Sequence, residues 1–432
     1  MHKLTYQSVP EKTVAQKIET RNMTSRDWAN REWGGLVPYE DIAGEVAIVG
    51  VGETAHTANS GRDPIAMAGE AIANALDDAG IRPDQVDGIM FRGGMKDQFT
   101  DADFRRHFGT DRALWVSSEG GAMTWAGTAP YEAALAMRQK KASVIVNTFT
   151  VDWASQTKAD TGGGPGEYHR EEVMKANFEV PFGFYPQPVY FAAIARRHMH
   201  EFGTTEAQLG AIAVSSRRHA NTHPGAVMRE KRLTIEDYLA RPPFIDPFRI
   251  EDCCLISDGA AAYVMTAADR ARDCAKPPVI VRGVAESFDE ADTFFAQHRA
   301  ITATPQVFSA PAAYRMAGIG AADVDVLAVY DPFTIVALMQ IEDMGFCEKG
   351  GGGAFVEGDR LDFRRGRARG GLPFNTHGGL LSHSYVLGIS HVVELVRQLR
   401  GEAANQVAAA EIAVYGGFTG GSCSTLVLGK GG

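Results

Sequence analysis

Cysteine is scarce: five in 432 residues, with Cys253 and Cys254 adjacent and Cys274, Cys347 and Cys423 isolated. That excludes a disulfide scaffold, and the lack of any CxxC pair argues against structural zinc. The expected setting is reducing and cytoplasmic. Long hydrophobic runs are missing too; no stretch of about 18 apolar residues occurs, so no membrane span is expected. The opening residues, MHKLTYQSVPEKTVAQKIET, have no apolar core of signal-peptide type and carry Glu11 and Glu19, which a transit peptide avoids. Nor is there a basic excess: 43 Lys and Arg against 53 Asp and Glu leave a formal net charge of −10. Binding to a phosphate backbone runs on clustered cations, so no nucleic-acid partner is expected. The chain also lacks a GxSxG elbow, a P-loop lysine and the kinase motif set, which removes serine-hydrolase and phosphoryl-transfer chemistry.

What is present is ordinary globular composition, 45% hydrophobic and 22% charged, in a chain long enough for two or more domains. EVAIVGVG at 45–52 reads as a buried strand. A helix follows, with Asp63 as N-cap, Pro64 at the first helical position, and Ile65, Ala68, Ile72, Ala75 and Leu76 at helical spacing. Gly80 closes it, and VDGIMF at 86–91 reads as the next strand. The same plan recurs downstream: AGIRPDQVD (79–87) matches AGIGAADVD (317–325), and VAIVGVG (46–52) has a counterpart in VIVRGV (279–284). Matching flanks around both copies point to an internal duplication of an α/β unit. The resulting division is a polar arm at 1–44 bearing Trp28 and Trp33, a first half at 45–277, and a second half at 278–432. The surplus of the first half is a loop-rich stretch at about 152–250, where the aromatic run FGFYPQPVYF (182–191) could line a bulky apolar site. Two sheets packed on shared helices are expected, with the site between the halves.

Several motifs fall away when weighed. Gly50-x-Gly52-x-x-Ala55 follows a strand, but a dinucleotide fingerprint opens directly into a helix, and here the helix waits until Asp63. The pairs His198 and His200, His219 and His223, and His377 and His383 have ligand-like spacing. No acidic or cysteine ligand completes a site, and Arg196, Arg197, Arg217 and Arg218 crowd the first two pairs, so no metal is expected. Two glycine-rich stretches near the C-terminus, 375–391 and 415–429, remain; such loops let backbone N–H groups approach a ligand closely.

These stretches carry a resemblance. NTHGGLLSHSYVLG (375–388) resembles the thiolase loop N-x-x-G-G-x-x-x-x-G-H-P-x-G, and Tyr330-Asp331-Pro332-Phe333 resembles the H-D-x-F motif of sterol-carrier-type thiolases. DCCLISDGAAA (252–262) is similar to the turn and strand that end the family's N-terminal half. The resemblance covers about 45–429 and implies the thiolase-like five-layer αβαβα fold, with two duplicated halves and an inserted loop domain. It also implies a homodimer and a coenzyme A thioester as substrate, with no separate cofactor. The departures are chemical. A thiolase needs a nucleophilic cysteine at a buried helix N-terminus, and in 115–137 that place falls to Gly121, Ala122 or Met123, with Ser117, Ser118 and Thr124 nearby. The second cysteine, expected near Gly417–Gly420, is also missing, and Cys423 comes late. Both family histidines are tyrosines, Tyr330 and Tyr385.

Acyl-cysteine catalysis therefore drops out. A thiolase frame still offers a place for a thioester enolate, and an enolate also arises when a C–C bond of a 3-hydroxyacyl thioester breaks. That retro-aldol step needs a base, an enolate site and a proton donor, but no nucleophile. Tyr330 and Tyr385 are the candidate proton-transfer residues; a phenol's ordinary pKa near 10 means a base role needs a partner. Asp331, Asn375, His377 and His383 are the candidate supporting residues, and the glycine pairs Gly378–Gly379 and Gly420–Gly421 the candidate enolate or thioester loops. The pattern resembles the steroid side-chain-cleaving aldolases of the thiolase superfamily. That implies cleavage of a bulky 3-hydroxyacyl-CoA to a ketone and a short acyl-CoA, with a small OB-fold partner subunit in a heterotetramer. The alternatives are a non-catalytic acyl-CoA- or lipid-binding scaffold and a thiolase-type acyltransferase with a displaced cysteine, for which Cys423 is the candidate.

Overall fold

The computed structural model describes residues 31–93, 98–159, 173–184, 186–292 and 294–431. Trp28 and the glycine run at 162–164 lie outside them. The first part holds β1 (Gly34–Val37), β2 (Val46–Glu53), α1 (Pro64–Ala79), β3 (Gly88–Met90), α2 (Asp101–Phe108), β4 (Trp115–Ser117), α3 (Thr124–Arg138) and β5 (Val144–Asp152). An excursion of helices follows: α4 (Trp153–Ala159), α5 (Val173–Phe178), α6 (Gln187–Phe202), α7 (Glu206–Thr222) and α8 (Ile235–Ala240). Then come β6 (Asp258–Ala267), β7 (Val279–Asp289), α9 (Gln306–Ala317), β8 (Val326–Val329) and α10 (Thr334–Asp343). The chain closes with α11 (Gly352–Phe355), α12 (Gly379–Ser382), α13 (Ile389–Arg400), β9 (Ile412–Phe418) and β10 (Ser422–Lys430).

Local signals set the elements where the sequence places them. Asp63 accepts the Ala66 N–H at 3.1 Å, and Gly80 ends α1 at φ +67°. Gly318 ends α9 in the same way at φ +68°, and each glycine is followed by a short 3-10 turn and a strand. On β2, Ala47 and Val49 pack on the α1 side while Val46 and Ile48 join the central core, the two-residue period of a strand buried on both faces. A Cβ at Gly50 or Gly52 would overlap the α1 backbone at Ala75 or Ala71. The glycines of the rejected nucleotide motif thus serve close helix–strand packing.

The strand order is β4-β3-β5-β6-β2-β7-β10-β9-β8, with β1 alongside β7. Where two separate sheets were expected, hydrogen bonding runs through β2 and β7 at Ala47↔Ile280 and Ile48↔Val279, giving one sheet of ten strands among the described residues. The physical reason is that two abutting edges satisfy each other's backbone groups. The shared helices are there: α3 packs on β2, β5 and β6 and also on β7, β9 and β10, and α13 likewise reaches strands from both ends. α1 covers β2, β5 and β6 from outside, and α9 covers β7 and β10. Trp33 is 2% exposed and packs with Ala300, Ala303 and Val307, so the end of the arm, through β1, is built into the body. The helical excursion lies against the second part through α6 and α7 on α10, and α7 on α12. A buried charge cluster fixes it there: His198 of α6 meets Glu342 of α10 at 3.1 Å, and Lys349 meets Glu342 and Asp343 at 3.1 and 2.9 Å. Among the described residues no helix is long and apolar enough to cross a membrane.

Candidate active site

β8 delivers Tyr330 to the end of the sheet, where its N–H donates to the Gly416 carbonyl and its carbonyl accepts from Gln340, each at 2.8 Å. Tyr385 stands between α12 and α13, its N–H donating to Ser257 Oγ at 2.7 Å and its ring 5.2 Å from that of Trp153. The two phenol oxygens are 3.4 Å apart, and both side chains are buried, at 5% and 9% exposure. Elements distant in sequence thus bring together the two tyrosines that the sequence nominates.

The supporting residues divide by role. Asp331 is fully buried, accepts the Leu380 N–H at 2.8 Å and meets His391 Nε2 at 3.1 Å. Gly379 sits at φ +62° with no room for a Cβ beside that carboxylate. Asn375, at φ +41°, spends its amide on both backbone groups of Val329, at 2.9 and 3.1 Å, extending the ladder past β8. Gly378 lies against Ala220 of α7, whereas Gly420 lies against Phe295 and Gly421 against Asp292. In the aromatic run, Tyr190 and Phe191 are core, Phe191 stacking at 4.6 Å on Phe333, while Phe182 is 81% exposed.

His377 and His383 belong to a buried imidazole cluster. Ring centroids are 4.9 Å apart for His377–His383, 4.6 Å for His377–His391, 4.7 Å for His223–His383 and 5.0 Å for His56–His383. Burial holds the His377 and His383 pKa values well below the ordinary 6.5, with neighbouring imidazoles adding to the effect, and burial lowers His223 to about 4. Among the described residues no group of three or more His, Cys, Asp or Glu has the arrangement to hold a metal ion. The cluster predicts acid sensitivity. An unfolded histidine titrates near 6.5, so these neutral imidazoles contribute stability that is intact above about pH 6.5. It is lost as pH falls from there toward 4 and below. Glu394, raised by burial to about 7, acts oppositely, its contribution fading as pH rises through 7. Urea unfolding below pH 6.5 should show His383→Asn flattening the rise of stability with pH, by at most about one proton, or about 1.4 kcal/mol per pH unit. An unchanged slope contradicts this assignment.

At the helix that enters the centre, Gly121 (φ +104°) is clamped by Asn147, whose amide accepts from its N–H at 2.6 Å and donates to its carbonyl at 3.0 Å. Ala122 is buried, and Met123 holds the N-cap of α3 at φ +56°, ψ −130°. Its N–H donates to the Leu387 carbonyl, and its carbonyl accepts the Tyr415 hydroxyl at 2.7 Å. A Cβ at Gly417 would lie 2.8 Å from that same carbonyl. Cys423 is fully buried in β10, and burial pushes its thiol well above the ordinary range, which suppresses the thiolate a displaced nucleophile needs. The sequence reading missed Ser257, His391, Gly388 and Tyr415. All four stand inside stretches it singled out, but their partners are remote in the chain.

Residues 289–430 match the family described as thiolase C-terminal domain-like. A 17-hydroxy-3-oxo-4-pregnene-20-carboxyl-CoA lyase of Mycobacterium tuberculosis is 34% identical, over 90% of this chain and 100% of that protein. A steroid side-chain-cleaving aldolase of Thermomonospora curvata is 32% identical, over 90% of this chain and 98% of its own. Among solved structures, the Ltp2-ChsH2(DUF35) aldolase superposes with a TM-score of 0.80 at 29% identity, over 90% of this chain and 99% of that one. On its fold and these full-length relatives, the chain belongs to the thiolase superfamily, in the branch that includes the steroid side-chain-cleaving aldolases.

Proposed function

We propose that the protein is an acyl-CoA aldolase that splits a bulky 3-hydroxyacyl-CoA, of steroid side-chain type, into a ketone and a short acyl-CoA. The observation that carries the reading is the pair of buried phenols, Tyr330 and Tyr385, in contact at 3.4 Å. One residue, as its phenolate, takes the substrate's hydroxyl proton as the C–C bond breaks, and the electron pair of that bond passes into the thioester as an enolate. The other phenol gives its proton to the α-carbon. Passage of the first proton across the phenol–phenol contact then restores both residues, so no net proton leaves the site. Met123 takes the nucleophile's place in this reading, on a strained turn that still aims a helix N-terminus at the site but carries no group to acylate. The turns at Gly378–Gly379 and Gly420–Gly421 are assigned to the thioester side.

We also read the chain as two duplicated halves meeting at β2 and β7, with the helical excursion as an inserted domain. The strand order supports this, running outward from that junction in corresponding fashion on both sides. The neighbour solved with a DUF35 partner supports a partner subunit of that kind; we read the assembly as a heterotetramer of two such chains with two small OB-fold subunits.

Intact-protein mass spectrometry during turnover tests the chemistry. The expected result is consumption of the hydroxyacyl-CoA with the protein mass unchanged. An acylated protein sinks the reading in favour of a displaced cysteine, and unconsumed substrate favours an acyl-CoA-binding scaffold.

A further inference from the structure

The two phenols lie 3.4 Å apart although they hang on different elements, and a closed frame of hydrogen bonds joins those elements. It turns on one carboxylate. Asp331, next to Tyr330, is fully buried, and its Oδ1 carries two donors: the Leu380 N–H of α12 at 2.8 Å and His391 Nε2 of α13 at 3.1 Å. A carboxylate only accepts, so the imidazole donates. Leu380 continues the frame, its carbonyl accepting the Leu255 N–H at 2.9 Å, and two residues on Ser257 Oγ takes the Tyr385 N–H at 2.7 Å. From the same segment the Cys254 N–H returns to the Pro332 carbonyl at 2.9 Å, beside Asp331.

Resting on the aldolase reading, we propose that His391 is a positioning residue, which fixes the Asp331 carboxylate and through it the spacing of the Tyr330 and Tyr385 phenols. The carboxylate has few other restraints. Its Oδ2 has no protein partner among the described residues and faces Gly379, where there is no room for a Cβ. Turning of the group is therefore opposed by the Leu380 and His391 bonds. Of these donors His391 is the rigid one. It is the third residue of α13, fully buried, with its ring packed 4.6 Å from that of His377 and 6.0 Å from that of Tyr415. Among the described residues it is also the one Lys, Arg or His side chain within ion-pair distance of Asp331. Without it a buried charge keeps a single bond, and such a group shifts to find another. The shift carries Leu380 and α12 with it, and α12 leads directly to Tyr385. Proton transfer is steep in distance, so a displacement of about 1 Å costs rate before it costs binding.

The test uses the full chain, co-expressed with a DUF35-type partner subunit, on a steroid side-chain 3-hydroxyacyl-CoA. His391→Leu should lower kcat about ten- to hundredfold, the worth of a hydrogen bond to a charged group, with KM within about threefold. His391→Gln, whose amide nitrogen reaches the place of Nε2, should recover most of the loss. Wild-type kcat in His391→Leu overturns the proposal. So does a glutamine variant as slow as the leucine one, because that reduces His391 to filling space. Added to Asp331→Ala, His391→Leu should cost nothing further, and a multiplied loss shows that it acts elsewhere and also overturns the proposal. If the leucine variant fails to fold, His391→Asn, whose amide stops one bond short of the carboxylate, replaces it in each comparison. Hydrogen exchange read by mass spectrometry separates this from failure of the aldolase reading. His391→Leu should speed exchange of the Leu380 amide by about fivefold or more, while the glutamine variant and a β5 peptide keep the parent rate. An unchanged Leu380 rate refutes the frame itself. Faster exchange in a protein that cleaves no hydroxyacyl-CoA leaves the frame standing and overturns both the kinetic role and the aldolase reading.

Discussion

Tyr385→Phe should abolish most cleavage, lowering kcat by about 10²- to 10⁴-fold, the usual worth of a positioned acid or base. The substitution removes one oxygen. The ring keeps its place against Trp153, and the backbone N–H keeps Ser257, so the fold should lose no more than the about 0.5–1.5 kcal/mol of a hydrogen bond. Acyl-CoA binding, measured by calorimetry, should change little, because the proposed reading gives the thioester to the glycine turns and only proton transfer to the pair. Tyr330→Phe should behave alike, and the double variant should be scarcely worse than either single one. On the proposed reading the two oxygens, in contact at 3.4 Å, act as one proton-handling unit, and units of this kind are strongly non-additive. A Tyr385→Phe protein with wild-type turnover ends the assignment.

Gly388→Ala should cost about 2–4 kcal/mol of stability and most of the activity. Gly388 caps α13 at φ +90°, in the left-handed region that an alanine enters only with strain. A Cβ there would also overlap the Tyr415 hydroxyl and lie 3.3 Å from the Tyr330 ring. Tyr415 is the group that holds the Met123 carbonyl, and burial keeps its proton firmly on oxygen. One methyl therefore presses on the Tyr330 ring and on the support of the α3 N-terminus together. Chemical denaturation gives the stability change and steady-state assay the activity. A variant as stable and active as the parent contradicts this account of the loop.

Short-range signals made much of the frame legible. Asp63, Pro64 and Gly80 bound α1 through contacts within a few residues, and the repeat at 79–87 and 317–325 returns as the same helix end, turn and strand. The tyrosine pair was legible through motif position. What stayed hidden depends on chain crossings. The pairing of β2 with β7 joins residues more than two hundred positions apart, and the Tyr385–Ser257 bond spans 128. His56 and His223 join His377 and His383 from separate elements, so no spacing rule gathers them. Asn375 is polar and lies in the right motif, yet its amide finishes a strand. Among Gly121, Ala122 and Met123, side-chain chemistry does not discriminate. Backbone geometry does, since Met123 alone holds the N-cap of α3.

The most direct test of nucleophile-free C–C cleavage is product analysis by mass spectrometry. The protein, co-expressed with a DUF35-type OB-fold partner, is given a panel of 3-hydroxyacyl-CoAs that includes a steroid side-chain thioester. The expected result is a ring ketone and a shortened acyl-CoA in equal amounts, with no added coenzyme A required. Intact substrate across the panel, or products that appear only when free coenzyme A is supplied as acyl acceptor, contradicts it.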